Sequence, residues 1–358
     1  MRKRLPFFKG ISGVTYYRLK TMFTIAVVWT FIDVVSVYIF NRADMEDPRK
    51  SMLFRAAFVF SISLFISYFF PATLRRFVRK YPLWLNLLVK FVAVLIAALL
   101  MNFLVYLIEH LFIEGYTFRE TVDRFFAASR YVDWFLQRTF YWVLLLVLTQ
   151  LYIEINEKYA PGVFKDILVG KYYIPKEEKR IVMFIDLKDS TPIAERLSHQ
   201  RYFMFIREFI NLVSIALIDN YGRIYQYVGD EVVVSWPATP KNARRAIQSL
   251  IDARKMIQKN NNRFRRKFNE VPSFRAGIHV GEVTIGEIGV IKKDLAISGD
   301  TMNTTARIRS ACTEFNANYI VSGEFREFAS LEEWQCDNLG RVDLKGKAEA
   351  ISLCALKL

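Results

Sequence analysis

The sequence predicts an α-helical transmembrane bundle in its N-terminal half and an α+β domain of ferredoxin-like kind in its C-terminal half. Apolar residues make up 53% of the 358 residues and are concentrated in the N-terminal half. Four segments there reach the length of about 20 residues that a membrane-spanning helix needs. From Lys179 onward, short apolar runs alternate with amphipathic segments, as in a sheet covered by helices. The predicted limits are 1–153 for the bundle, 154–178 for a linker and 179–358 for the α+β domain.

The predicted membrane spans are 22–40, 52–70, 85–108 and 135–153. Lysine and arginine are frequent before the first span, and between the second and third spans lie Arg75, Arg76, Arg79 and Lys80. Because cytoplasmic loops carry an excess of these residues, we expect a multi-pass protein of the cell membrane. Its N-terminus and its C-terminal half should both be cytoplasmic. The loop 109–130 contains both acidic and basic residues and is predicted to carry a surface helix.

The net charge of +15 is compatible with a nucleic acid or with a membrane surface as partner. Many of the basic residues flank the predicted spans, so we interpret them as topology signals and as contacts with the lipid bilayer. No nucleic acid partner is expected. The three cysteines form no CxxC pair and the three histidines have no ligand spacing, which argues against a disulfide framework and against a zinc site.

Three ionisable residues lie inside the predicted spans. Asp33 belongs to the first span, while Arg55 and Arg138 lie near the starts of the second and fourth. Such groups are costly in a bilayer and usually face protein or water. A buried ion pair or an interfacial position is favoured for the two arginines. Asp33 fits such a pair and a sensor site equally well.

The linker begins as an amphipathic, charged continuation of the fourth span. It is broken at Pro161-Gly162 and again at Pro175. A helix that leads into such a break favours a signalling neck over a plain tether.

Two aspartates in the C-terminal half suggest a metal site. Asp186 ends the strand RIVMFIDL, and Asp230 lies at the tip of the hairpin YQYVGDEVVVSW. If these strands are neighbours, both carboxylates meet at one sheet edge, where they suit Mg²⁺ bound with a polyphosphate. Ser190 and Thr191 begin the next helix and can bind phosphate through backbone N–H groups. The alternative is that both aspartates are surface or capping groups; Glu231 is interpreted as a turn or surface residue.

The segment from Lys179 to about Leu356 resembles the catalytic domain of the class III nucleotidyl cyclases. FIDLKDST resembles the first metal motif of that family and YVGDEVVVSW the second. SGDTMNTTARI is similar to its Asn-x-x-x-Arg helix, and DLKGKAE to its late Leu-Lys-Gly motif. With four spans in front, the chain resembles the membrane-anchored bacterial members. The resemblance therefore implies an α+β ferredoxin-like class III nucleotidyl cyclase domain.

The resemblance also implies a role for individual residues. Asp186 and Asp230, helped by the backbone carbonyl of Leu187, would hold two Mg²⁺ or Mn²⁺ ions in each active site. Asn303 would orient the ribose, and Arg307 would stabilise the pentavalent phosphorus. In this family the metal residues and the Asn/Arg pair come from opposite subunits. Since one chain carries both sets, the resemblance implies a homodimer.

The remaining roles concern the rest of the nucleotide. Lys345 would bind the terminal phosphates, with Lys347 as a rival. Gln226 and Ala296 occupy the positions that select the base in the family, and they match neither the adenylyl nor the guanylyl pattern. Glutamine both donates and accepts, so it suits either purine, and alanine offers no polar contact.

We therefore expect a membrane-anchored adenylate cyclase that converts ATP into 3′,5′-cyclic AMP and pyrophosphate. A guanylate or relaxed cyclase that takes GTP is one alternative, and a catalytically silent nucleotide receptor is another. A diguanylate cyclase does not fit, because Val228 and Val232 stand where its signature needs other residues.

Overall fold

The computed structural model describes residues 13–40, 48–78, 82–112, 114–158, 166–167, 169–290, 294–344, 347 and 349–358. These residues fall into two compact units. One is Tyr17–Lys158, and the other combines Tyr159–Leu358 with Met1–Tyr16. The Pro161-Gly162 break lies outside the described residues, and the three domain limits stay predictions.

The N-terminal part contains five helices: α1 (Gly13–Phe40), α2 (Pro48–Val78), α3 (Leu83–Phe112), α4 (Phe118–Ala128) and α5 (Val132–Lys158). All but α4 are long and apolar enough to cross a membrane, which confirms the prediction of four apolar helices of that length. The short α4 lies in the loop where a surface helix was expected. It starts at a capping box, in which the Thr117 and Glu120 side chains each accept a hydrogen bond from the other residue's backbone N–H.

The bundle contains a network of buried charges. Arg55 donates from Nε to Oδ2 of Asp33 at 2.8 Å and from Nη1 to Oε2 of Glu109 at 2.9 Å. Arg138 Nη2 lies 3.8 Å from the same Glu109 oxygen, and Tyr141 donates to Asp33 at 3.4 Å. Asp33 is only 1% exposed. The interpretation of Arg55 as a buried ion-pair partner is confirmed, and Asp33 is that partner.

The C-terminal part is built on an eight-stranded sheet. Its strands are β1 (Lys176–Leu187), β2 (Arg223–Val228), β3 (Glu231–Pro237), β4 (Phe274–Ile288), β5 (Asp294–Ser298), β6 (Tyr319–Ser322), β7 (Cys336–Val342) and β8 (Ile351–Leu356). The helices are α6 (Ser190–Arg196), α7 (His199–Asp219), α8 (Pro240–Phe268), α9 (Asp300–Glu314) and α10 (Gly323–Ala329). The strand order is β2-β3-β1-β4-β6-β8-β7, and β5 pairs with β4. The first four strands thus follow the ferredoxin-like order, which confirms the predicted fold class.

The two faces of the sheet bury different helices because side chains alternate along each strand. Ile181, Met183 and Ile185 of β1 pack in the cluster that also contains core residues of α7 and α8. Val182 and Phe184 point to the other face, in the cluster that contains Met302 and Ala306 of α9. Asp186, the next residue of this second series, therefore belongs to the α9 face.

The end of the predicted linker is part of the core of the α+β domain. Tyr172 is 1% exposed and packs with Val182 and Phe184. Its carbonyl accepts a hydrogen bond from the N–H of Glu287 at 3.3 Å. The hydroxyl of Tyr172 also joins a polar cluster in which Glu178 accepts from Lys171 and Arg180.

Candidate active site

Asp186 and Glu231 lie side by side at the ends of two neighbouring strands. In the antiparallel pair of β1 and β3, Ile185 faces Val232, so Asp186 and Glu231 are the next residues beyond that pair. Both side chains point to the α9 face and are largely buried, at 24% and 14% exposure. Glu231 was interpreted as a turn or surface residue: it does close the hairpin turn by pairing with Val228, but it is not a surface residue.

Asp230 enters the site from the turn between β2 and β3. Val228 pairs with Glu231, which leaves a two-residue turn of Gly229 and Asp230. Gly229 has φ +61°, as a hairpin with glycine at its first central position requires. The Oδ2 atom of Asp230 is buried and has no hydrogen-bond partner among the described residues. Its carboxyl group lies near enough to Asp186 to raise the pKa of that residue.

The clustered acids change the protonation of Asp186. Burial raises the pKa of Asp186 to about 6, and the nearby Asp230 and Glu231 act in the same direction. The positive charge of Arg309 opposes this shift without cancelling it. The metal-free site therefore holds a proton more readily than an exposed aspartate does.

The start of α6 borders the same site. Leu187 ends β1 with a buried side chain, and the chain then turns through Asp189, which has φ 56°. Ser190 and Thr191 are the first two residues of α6, and the side chain of Asp189 makes no cap hydrogen bond there. The segment carrying the Leu187 carbonyl, Ser190 and Thr191 thus follows Asp186 directly; their ligand roles stay predictions.

The donor chemistry of the site fits a hard divalent cation. Asp186 and Asp230 supply carboxylate oxygens, one of them buried without a partner, and hard oxygen ligands are those that Mg²⁺ and Mn²⁺ prefer. Among the described residues, no three His, Cys, Asp or Glu side chains form a ready metal cage. A metal here would complete its shell with backbone carbonyl, phosphate or water oxygens.

Helix α9 approaches the sheet closely because β4 carries two glycines on this face. A Cβ atom at Gly281 would stand 2.4 Å from Thr301 Oγ1, and one at Gly277 would stand 2.4 Å from the backbone nitrogen of Arg309. Thr301 also donates to the carbonyl of Glu282 at 2.6 Å. These contacts fix the stripe of Thr301, Thr305 and Arg309 against β4.

The close approach brings Arg309 into the acidic cluster. Its Nη1 lies 3.2 Å from Oδ2 of Asp186, and its Nη2 lies 2.8 Å from Oε2 of Glu231. Sequence reasoning missed this residue. The available signal was the spacing of Thr301, Thr305 and Arg309, which puts all three on one side of a helix.

Asn303 and Arg307 lie on the other side of α9. A helix turns about 100° per residue, so Arg307 and Arg309 project from nearly opposite flanks. Asn303 is exposed and Arg307 is half-buried. Among the described residues neither side chain has a hydrogen-bond or ion-pair partner. The structure therefore does not bring them to Asp186 of the same chain.

The predicted base-selecting residues are also apart within one chain. Gln226 is exposed on β2, just after a register shift, and Ala296 is half-buried on β5. Strands β3, β1 and β4 lie between them. Lys345 lies outside the described residues. Its rival Lys347 is ion-paired with Asp300 at the start of α9.

Comparison with known proteins identifies the family. A sequence profile described as the adenylate and guanylate cyclase catalytic domain matches residues 172–355, which is more than half of the chain. The chain belongs to the adenylate and guanylate cyclase family. The chain is 31% identical over 206 residues to Adenylate cyclase 2 of Rhizobium meliloti (strain 1021), and the alignment covers 57% of each chain.

More distant relatives include both types of cyclase. Identity is 25% over 183 residues with Adenylate cyclase 1 of Rhizobium meliloti (strain 1021), covering 48% of this chain and 26% of that protein. It is 23% over 200 residues with receptor-type guanylate cyclase gcy-10 of Caenorhabditis elegans, covering 54% of this chain and 18% of that protein. The chain thus spans little more than half, or less, of the length of these curated relatives.

A solved bacterial light-regulated adenylyl cyclase shares the fold. The TM-score is 0.53 at 18% sequence identity, over 62% of this chain and 65% of that chain. At this identity the likeness extends to the fold alone.

Proposed function

We propose that this protein is an adenylate cyclase of the cell membrane, which converts ATP into 3′,5′-cyclic AMP and pyrophosphate. The observation that carries the proposal is the convergence of Asp186 and Asp230, with one buried carboxylate oxygen that lacks a hydrogen-bond partner. This pair lies inside the segment that matches the cyclase family.

Two Mg²⁺ or Mn²⁺ ions are the proposed cofactors of each site. Asp186, Asp230 and the backbone carbonyl of Leu187 would hold them. When bound, such ions neutralise triphosphate charge and lower the pKa of the ribose 3′-hydroxyl. The protein contributes by keeping three acidic side chains together in a largely buried place. The repulsion between their negative charges is offset in part by the positive charge of Arg309.

The other predicted residues act on the nucleotide itself. Asn303 orients the ribose, and Arg307 stabilises negative charge on the α-phosphoryl group as the 3′-oxygen attacks the phosphorus. The bond from this phosphorus to the pyrophosphate oxygen breaks, and pyrophosphate leaves. Lys345 binds the terminal phosphates, and the backbone N–H groups of Ser190 and Thr191 add donors. Most of the rate enhancement then comes from positioning and electrostatic stabilisation.

The active site is proposed to form between two copies of the chain. Its support is the geometry of α9: Arg309 contacts Asp186 of its own chain, whereas Arg307 projects from the opposite flank. One chain therefore cannot bring Arg307 to its own Asp186 without turning the helix. A homodimer supplies two equivalent composite sites.

A guanylate or relaxed cyclase is the second candidate, favoured by one observation. Gln226 is exposed on β2 and can donate and accept, so it suits the edge of either purine, while Ala296 offers no polar group. The similarity to an adenylate cyclase at 31% identity supports ATP.

The four apolar helices support anchoring in the lipid bilayer. We place the N-terminus and the catalytic part on the cytoplasmic side, where the nucleotide substrate is.

The deciding experiment uses membranes that contain the full chain. They receive ATP or GTP with Mg²⁺ or Mn²⁺, and cyclic AMP, cyclic GMP and pyrophosphate are measured. Cyclic AMP and pyrophosphate in equal amounts, lost in Asp230→Asn, are expected. Absence of both cyclic products under all conditions would contradict the proposed enzymatic activity. Full activity in Asp230→Asn would contradict only the assignment of Asp230 as a metal ligand, and not the enzymatic activity.

A further inference from the structure

Arg309 lies where the acidic cluster would attract a metal cation. One guanidinium contacts Asp186, which is assigned above to the metal, and Glu231, which is not. The ion-pair distance to Glu231 is the shorter, at 2.8 Å against 3.2 Å, whereas the hydrogen bond of Arg309 is made to Asp186. Arg309 is thus shared between the two acids.

We propose that Arg309 is a positioning residue that serves as a built-in counter-cation of the metal site. It neutralises Asp186 while the site holds no metal, and it releases this carboxylate when a divalent cation binds. It keeps Glu231 throughout. This inference rests on the proposed function, because it takes Asp186 as a metal ligand.

Electrostatics supports the exchange of one cation for another. Three carboxylates in one place repel each other, and a positive charge within about 4 Å offsets this repulsion strongly in a half-buried site. The same charge makes the Asp186 oxygen a weaker ligand for a second cation. Arg309 therefore stabilises the metal-free site and lowers its metal affinity.

The anchoring of Arg309 confines the exchange to its side chain. Its backbone nitrogen is so close to Gly277 that a Cβ there would stand 2.4 Å away, and the helix is held against β4 at this point. The Nε group is buried without a hydrogen-bond acceptor among the described residues. A buried donor left unpaired in this way is unfavourable.

The test measures Mn²⁺ binding to the full chain in detergent, without nucleotide, from the electron paramagnetic resonance signal of free Mn²⁺. The titration is made at about pH 8, above the pKa of about 6 that burial gives Asp186 in the wild type. We expect Arg309→Met to bind Mn²⁺ about tenfold more tightly, equivalent to about 1.4 kcal/mol. Arg309→Lys keeps the charge and should stay near the wild-type affinity.

Two controls make the result specific. Arg265→Met removes one exposed positive charge from α8 and should leave the affinity unchanged. Arg309→Gln repeats the loss of charge with a polar side chain, in case the methionine variant does not fold. Unchanged or weaker binding in Arg309→Met and Arg309→Gln would overturn the inference, and so would equal tightening in Arg265→Met.

Asp186→Asn separates this inference from the proposed function. It should lose the tight Mn²⁺ site. If it binds Mn²⁺ as the wild type does, the metal assignment fails and the Arg309 inference fails with it. If it loses the site while Arg309→Met binds no more tightly, only the Arg309 inference fails.

Discussion

Gly277 of β4 lies directly against the backbone of Arg309 in α9, so that a Cβ at position 277 would stand 2.4 Å from the Arg309 nitrogen. No side-chain rotation can relieve this contact, because the atom it meets is backbone. The distance between β4 and α9, and with it the place of every functional residue on that helix, depends on this glycine.

Gly277→Ala should therefore displace α9 and lower cyclase activity by at least about tenfold, with a stability loss of about 1–3 kcal/mol. Cyclic AMP formation and thermal unfolding of the purified protein test this. Gly340→Ala is the matched control: position 340 has φ +82° but nothing within 4 Å of an added Cβ. It should cost about 1 kcal/mol through backbone strain alone and leave activity intact. Equal activity in the two variants would contradict the role of Gly277.

Metal binding should weaken in acid. Burial raises the pKa of Asp186 to about 6 despite Arg309, and a cation binds only the ionised carboxylate. The affinity for Mn²⁺ should be fully developed above about pH 6 and fall by about tenfold for each pH unit below it. Titrations with Mn²⁺ across this range check the sign and the midpoint. A midpoint near pH 4, where an exposed aspartate titrates, would show that the cluster leaves Asp186 unperturbed.

The buried charges of the bundle should behave as a unit. Among the described residues, Arg55→Met leaves the buried Asp33 with only the weak hydrogen bond from Tyr141, and we expect a loss of about 3 kcal/mol in the free energy of unfolding. Removing both charges in Asp33→Asn with Arg55→Met should recover part of that loss. Unfolding in mixed detergent micelles measures the free energy of unfolding of the wild type, the single variants and the double variant, which together form a double-mutant cycle.

Lys90→Met provides the comparison for that cycle. It breaks an ion pair with Glu154 that is more exposed, and it should cost less than about 1 kcal/mol. If Arg55→Met lowers the free energy of unfolding no more than Lys90→Met does, the buried network stabilises the bundle no more than an exposed ion pair does.

Base preference should respond to the two positions that match neither cyclase type. Gln226→Lys combined with Ala296→Asp should raise the ratio of kcat/KM for ATP over GTP by about tenfold or more, since paired polar groups discriminate strongly. Tyr227→Lys adds the same charge at the next residue of β2, where the hydroxyl lies 3.0 Å from Ser214, and should not change the ratio. An unchanged ratio in the double variant would mean that other residues select the base.

Much of the fold could be predicted because its signals are local. Four long apolar segments and the alternation in the strand ending at Asp186 are visible without knowledge of distant contacts. The convergence of Asp186 and Asp230 needed only the pairing of β1 with β3, which a hairpin next to a buried strand makes natural.

The role of Arg309 was not predictable in the same way. It depends on which face of the sheet α9 covers and on two glycines in β4, some 30 residues earlier in the chain. Glu231 was misread for a related reason. A charged residue beside a turn is usually exposed, and only the packing of α9 encloses it.

The opposite flanks of α9 have a genetic consequence. With composite sites, a chain carrying Asp186→Asn keeps a sound Arg307, and a chain carrying Arg307→Ala keeps a sound Asp186. Each variant alone is inactive, yet a mixed pair rebuilds one complete site. Equal co-expression should restore about a quarter of wild-type activity, since about half of the dimers are mixed and each has one of two sites intact. Two defective alleles would then complement each other within one gene product.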